Sequence, residues 1–271
     1  TRCSRDWSSD VCSSDLHKHH QPKNIGEYFV EFLMLFLAVT LGFFAENLRE
    51  HKVEKEREIK FLQIIHQDLE TDIGEIDRLT EYNKQKKMLW DSMVTAHKEG
   101  VLTKKLADFY YYARNLSLRA LFESSHNGFI QLKNAGGLRM IKNKEIIGMI
   151  QRYENQIAIA ENLQELNDNS LALFRTKASR ILNVITSDEM NENQDLSINS
   201  KGLTMYTRRF GRPADPKPLL VNDPVEINEL MNYMAYSMNT NKYIILRLTI
   251  VKKLAHDLDS LIVKEYGQDF E

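Results

Sequence analysis

The pattern of apolar positions along the chain changes character several times. From Ile25 the sequence reads IGEYFVEFLMLFLAVTLGFFAENLRE, and residues 32–45 carry no charge. Apolar side chains there run all round a helix instead of along one stripe, the mark of a fully buried helix or a membrane span. Residues 32–45 alone would rise only ~21 Å as a helix, whereas about twenty residues are needed to cross a hydrocarbon core. Extension back to Ile25 supplies the length and takes in Glu27 and Glu31, which share a helix face one turn apart. These two are candidate intramembrane carboxylates. Near the boundary they cost well below the roughly 2.5–3.5 kcal/mol of a charge at the bilayer centre. A transmembrane helix is expected over residues 25–46, with a buried helix of a soluble protein as the alternative.

The next segment, ENLREHKVEKEREIKFLQ, mixes charges in the manner of a solvated helix face. An apolar stripe then begins at Ile59 and Leu62 and steps by three or four residues to Leu79 and Tyr82. It continues weakly through Met88, Leu89 and Met93. Gly100 is a plausible helix stop and Thr103 a cap for the next helix. Residues 106–122 predict a further helical region, or two, with a Tyr110, Tyr111 and Tyr112 cluster. A short helix around Phe129 and Leu132 ends at Gly136 and Gly137, and Asn143 can cap the next long helix. The stripe Ile146, Ile150, Tyr153, Ile157, Leu163, Leu166, Phe174, Ile181 and Ile185 predicts one helix of about forty-four residues. A loop is expected at about 187–223, with room for a short strand at 203–206. The last helix has Asp223 as N-cap, Pro224 at its first position and Glu226 placed for a capping box. Its stripe includes Ile227, Leu230, Met234, Met238, Ile245, Leu248 and Ile262, and Gly267 ends it.

Long amphipathic helices must bury their stripes together. The expected class is therefore all-α: an N-terminal transmembrane helix followed by a long-helix antiparallel bundle over residues 47–271. The stripes lack strict heptads, which favours a bundle over an extended coiled coil. Proline usage agrees, since none of the five prolines lies between Lys23 and Arg212.

Composition changes the picture at the N-terminus. Both cysteines, Cys3 and Cys12, fall within the first sixteen residues, TRCSRDWSSDVCSSDL, which show no helical or strand period. The stretch DWSSDVCSSDL resembles the translation of a sequencing adapter, so residues 1–16 are read as an artefact without a fold of its own. The remaining chain then holds no cysteine. Residues 17–24 form a basic, His-containing flank. The net charge of −2 argues against a nucleic-acid partner.

Chemistry is sparse. No phosphate loop, nucleophile elbow or paired metal motif is present. The histidines beyond the first flank are isolated. The carboxylates Asp68, Glu70, Asp72, Glu75 and Asp77 read as solvation of a helix face. Arg208, Arg209 and Arg212 in the loop are the candidate anion or ligand contacts, with the tyrosine cluster as a second candidate pocket. Catalytic, cofactor and metal residues are none.

Two segments resemble a known family. One is GEYFVEFLMLFLAVTLGFFAENLREH with the adjoining FLQIIHQDLETD. The other is ESSHNGFIQLKNAGGLRMIKNKEIIGMIQRYEN, with Leu132, Gly136, Leu138, Ile141 and Asn143 as its core. Together they look like uncharacterised single-span membrane proteins common in Bacteroidota, a domain of unknown function. The resemblance implies an N-terminal anchor in the bacterial inner membrane and an extracytoplasmic helical domain, and it brings no activity. A non-enzymatic protein is expected, whose partners are the lipid bilayer and a protein partner or a second copy. A ligand sensor and an enzyme of unrecognised class are the alternatives.

Overall fold

In the computed structural model, residues 24–125, 127–192 and 209–270 are described. The architecture is all-α. Its helices are α1 (Ile25–Lys98), α2 (Leu106–Leu116), α3 (Asn127–Asn134), α4 (Lys144–Ile181), α5 (Val184–Glu192) and α6 (Pro224–Tyr266). Short 3₁₀ turns occupy Gly137–Arg139 and Gly267–Asp269.

The chain divides into two compact units, Thr1–Glu54 and Lys55–Glu271. The described part of the first is the opening of α1. Its large apolar side chains are exposed on every face. An 18-residue window there has a mean hydropathy of 2.1, so the helix is long and apolar enough to cross a membrane. Thr40 donates back to the Phe36 carbonyl at 2.7 Å, which removes its hydroxyl from the apolar surface. Glu27 is exposed and Glu31 half-buried. The residue 1–16 segment and most of the 17–24 flank lie outside the described residues.

The second unit is a three-helix bundle with short elements laid against it. Side-chain pairs fix the directions of the helices. Asn143 meets Glu265, Gln156 meets Arg247 and Asn167 meets Ser237, so α4 and α6 are antiparallel. His66 meets Asp259 and Asp77 meets Lys252, so α6 is also antiparallel to α1. Two apolar cores result. One gathers Leu62, Leu69, Leu79, Tyr153, Ile157, Leu248 and Leu258. The other gathers Met93, Phe109, Tyr110, Phe174, Leu230 and Met234.

Several local expectations hold. Asn143 accepts from the Glu145 and Ile146 amides and caps α4. Asp223 accepts from Val225 and Glu226 and caps α6 behind Pro224. Gly100 and Gly136 adopt left-handed φ values of 67° and 63°, which glycine reaches without a Cβ penalty. Leu132 and Ile141 are buried on either side of that second turn.

Other expectations are corrected. Thr103 does not cap α2, whose first flanking residue is Lys105 with no side-chain cap. The helix at 106–122 stops at Leu116. The forty-four-residue helix breaks at Leu182, which is extended, and restarts as α5 with the Asn183 side chain receiving the Ile185 amide at 3.0 Å. That helix carries the chain to Glu192, so the loop does not begin at 187. The expected strand at 203–206 lies outside the described residues. The Glu226 carboxylate pairs with Lys177 across to α4. Of the acids of α1 read as solvating, Glu70 and Asp77 are exposed, but Asp68, Asp72 and Glu75 are buried, as is Glu58.

Gly128 in α3 lies directly against α1. An added Cβ would sit 2.8 Å from Ile65 Cγ1 and 2.9 Å from the Ile65 backbone nitrogen. Backbone cannot swing aside as a side chain can. Gly128→Ala is expected to destabilise the bundle by about 1–3 kcal/mol, measured by urea unfolding; an unchanged midpoint would refute this close approach.

Candidate functional site

The buried polar groups are organised around a length of chain without helix. After α2 ends, residues 117–125 run between the long helices as a strap. Backbone amides and carbonyls taken from water need partners, and here side chains supply them. Lys86 Nζ donates to the Leu118 carbonyl at 2.8 Å. Arg175 donates twice to the Ser117 carbonyl, at 2.9 and 2.6 Å. Gln164 binds both ends of one residue's backbone: its oxygen accepts the Phe122 amide at 2.7 Å, and its nitrogen donates to the Phe122 carbonyl at 3.1 Å.

The buried acids of α1 continue this series. Asp72 Oδ1 accepts the Ser125 amide at 2.7 Å, and Oδ2 accepts the Ser124 and Tyr153 hydroxyls, each at 2.5 Å. Asp68 accepts the Gly128 amide at 2.6 Å, where α3 begins. Glu58 accepts the Lys142 amide at 2.9 Å and the Tyr266 hydroxyl at 2.8 Å. Ionised carboxylates offer only acceptors, so amide-rich and hydroxyl-rich surroundings suit them. Burial and the Asp72 carboxylate beside it push the Tyr153 phenol well above its usual range.

Between the two apolar cores a further set of polar groups, with Lys86 and Gln164, forms a polar waist. Asn241 donates to Asn83, which in turn donates to the Leu79 carbonyl at 2.8 Å. Ser237 donates to Asn167 at 2.9 Å, and Arg119 pairs with Asp168 at 2.5 Å. Lys86 is the unusual member. It is 6% exposed. Burial first, and then the nearby Arg175 charge, pull its ammonium down to about 7. Burial lifts the neighbouring Tyr82 phenol to about 12. The gap among Tyr82, Asn83, Lys86, Gln164 and Asn241 is only about 10 Å³, room for about one water.

The residues singled out from the sequence are not gathered into one site. Arg208 lies outside the described residues. Arg209 borders a crevice of about 10 Å³ with Tyr82, Lys86 and Asn115. Arg212 is engaged within the fold: it pairs with Asp108 at 2.7 Å and stacks over the Tyr111 ring at 4.2 Å. Asn115 grips both backbone groups of Phe210 at 3.0 Å, and Arg114 stacks on the Phe210 ring. The returning chain is thereby anchored on α2. Phe109, Tyr110 and Tyr112 are core residues, and the Tyr110 hydroxyl accepts the Asn183 amide at 2.8 Å. Glu27 and Glu31 belong to the first unit. Among the described residues no group of three His, Cys, Asp or Glu is placed to hold a metal ion.

The waist itself was missed by the sequence pattern. Its signal is a gap in the stripes: no apolar residue falls at the core positions Asn83 and Lys86 of α1, Gln164 of α4, or Ser237 of α6.

Fold and site together define a helical bundle divided by a polar waist. Set against known proteins, the chain matches no family model, no curated protein and no solved structure.

Proposed function

We propose that the protein is a membrane-anchored helical-bundle module that binds a partner or a small ligand and carries out no chemistry of its own. The observation behind this is the stretch at 25–46, apolar and exposed on every face. Left in water, such surface is disfavoured by roughly 25 cal/mol per Å². A bilayer covers it, and a helix satisfies its own backbone there. The anchor is a single pass through the bacterial inner membrane, with the bundle outside the cytoplasm, as the resemblance to the Bacteroidota single-span proteins implies. The binding role draws support from the polar groups held inside the bundle: Lys86 and Gln164 at the waist grip the strap backbone, and Asp72 accepts from its Ser125 amide and Ser124 hydroxyl.

Cell fractionation with protease protection tests this reading. The full chain is expected to stay in the membrane pellet through high-salt and carbonate washes and to be released by detergent. Deletion of residues 25–46 is expected to move it to the supernatant. Protease added to spheroplasts is expected to digest the bundle. Recovery of the full chain in the soluble fraction would overturn the anchor, and a bundle cut only in inverted vesicles would reverse the orientation.

A further inference from the structure

Beside the waist, a cleft of about 460 Å³ opens between α1 and α6, a volume typical of small-molecule sites. Its floor is apolar, formed by Trp90 of α1 with Ala235, Met238 and Ile245 of α6. The sequence stripe counts Met238 and Ile245 as core, but the core positions belong to Ser237 and Ile244. Both displaced side chains are half-buried and line the cleft, and Met238 also packs against the second core. The lining runs from Thr80 to Asp91 on one helix and from Ala235 to Ile245 on the other, a trough about 15 Å long at ~1.5 Å per residue. Lys84, Lys87 and Lys242 stand around it, against a single carboxylate, Asp91. Lys84 pairs with Glu81 and Lys87 with Asp91. Lys242 makes no ion pair among the described residues.

We infer that this cleft binds a single-chain amphipathic monoanion, a medium-length alkyl carboxylate. The hydrocarbon lies along Trp90, Met238 and Ile245, and the carboxylate sits at Lys242. A long apolar trough suits a chain better than a compact ring. A rim with more ammonium groups than carboxylates favours an anion over a cation. The inference deepens the binding role proposed above by naming the class of ligand.

Trp90 reports on its own site. In the full chain carrying Trp7→Phe it is the single tryptophan. That protein, in nanodiscs of zwitterionic lipid with empty nanodiscs as blank, is titrated with octanoate and decanoate. A saturable change in Trp90 emission is expected, with decanoate bound about tenfold more tightly for its two extra methylenes. Lys242→Glu is expected to weaken decanoate about fivefold, and Met238→Glu to weaken it further. The control Lys264→Glu, an exposed change elsewhere on α6, is expected to leave binding unaltered. Absence of a saturable change overturns the inference. So does binding of benzoate or decyltrimethylammonium as tight as that of decanoate, or an unaltered Lys242→Glu variant. Emission that shifts with protein concentration alone overturns it too, and assigns the cleft to a second copy of the chain. Should the protein fractionate as soluble, the anchor fails but the titration, run in buffer, still decides the cleft.

Discussion

Asp72→Ala is expected to destabilise the bundle by about 3–5 kcal/mol, because it removes three hydrogen bonds to a buried charged group. Asp72 is 0% exposed and receives three hydrogen bonds, from the Ser125 amide and the Ser124 and Tyr153 hydroxyls. A hydrogen bond to a charged group contributes roughly 1.5–3 kcal/mol, and each buried donor left without an acceptor costs about 1–3 kcal/mol. The hydroxyls can turn to other acceptors, but the Ser125 amide is fixed by the backbone. The damage should therefore concentrate in the strap and at the start of α3, where Asp68 holds the Gly128 amide. Urea unfolding of the full chain in mild detergent, followed by far-UV circular dichroism, gives the total. Tyr153→Phe should cost less, about 1–2 kcal/mol, since it removes one donor and leaves the carboxylate in place. In the double variant the two losses should fall short of their sum, because both remove one shared bond. An Asp72→Ala loss below about 1 kcal/mol would show that this carboxylate does not hold the strap.

Asp72 also marks how far the sequence could be read. The class of fold was legible because it rests on repetition: proline-free lengths, three-four spacing and end signals such as Asn143, Asp223, Gly100 and Gly136 act locally. The strap was not legible. Residues 117–125 hold neither proline nor glycine, and α2 ends at Leu116 without either. What stops the helix is distant in sequence: Lys86, Arg175 and Gln164 offer its backbone a tertiary set of partners. The same cause misplaces the stripes. Counting apolar residues selects Leu166 on α4, which is 59% exposed, over the buried Gln164 nearby. The acids of α1 look like solvating groups for the same reason, since a carboxylate that serves a buried amide has no different spacing from one that faces water.

The two apolar cores and the waist divide the labour of the bundle. The cores supply burial, which is tolerant of small shifts along the helix axes. The waist admits one register, because Gln164 must meet the Phe122 backbone while Asn241 meets Asn83 and Ser237 meets Asn167. Polar contacts of this kind fix alignment at a cost in stability. That cost should be recoverable at Lys86.

Lys86→Met is expected to stabilise the bundle by about 1–3 kcal/mol at pH 7 and to remove a pH dependence that the unaltered protein shows. The folded chain holds this ammonium at about 7, against 10.5 when free in solution, a penalty on the order of 5 kcal/mol for burying the charged form. Below pH 7 the lysine is protonated in both folded and unfolded chains, and the penalty is fully present. Between about 7 and 10.5 the unfolded chain still binds the proton while the folded chain has released it, so stability rises with pH across that window. Above it both forms are neutral and the rise ends. Methionine keeps the length and flexibility of the stem and removes the charge. The change also removes the donor to the Leu118 carbonyl at 2.8 Å, a loss of about 1–3 kcal/mol that offsets part of the gain. The difference between the two proteins should therefore be largest near pH 7 and below, shrink through about pH 8 and 9, and vanish or reverse near pH 10. Taking that difference cancels every other titrating group, including Lys177, whose ammonium is held above its usual range by Glu226 and Glu229. Urea midpoints of both proteins across this pH range decide the matter. Parallel curves would mean that Lys86 stays charged inside the fold.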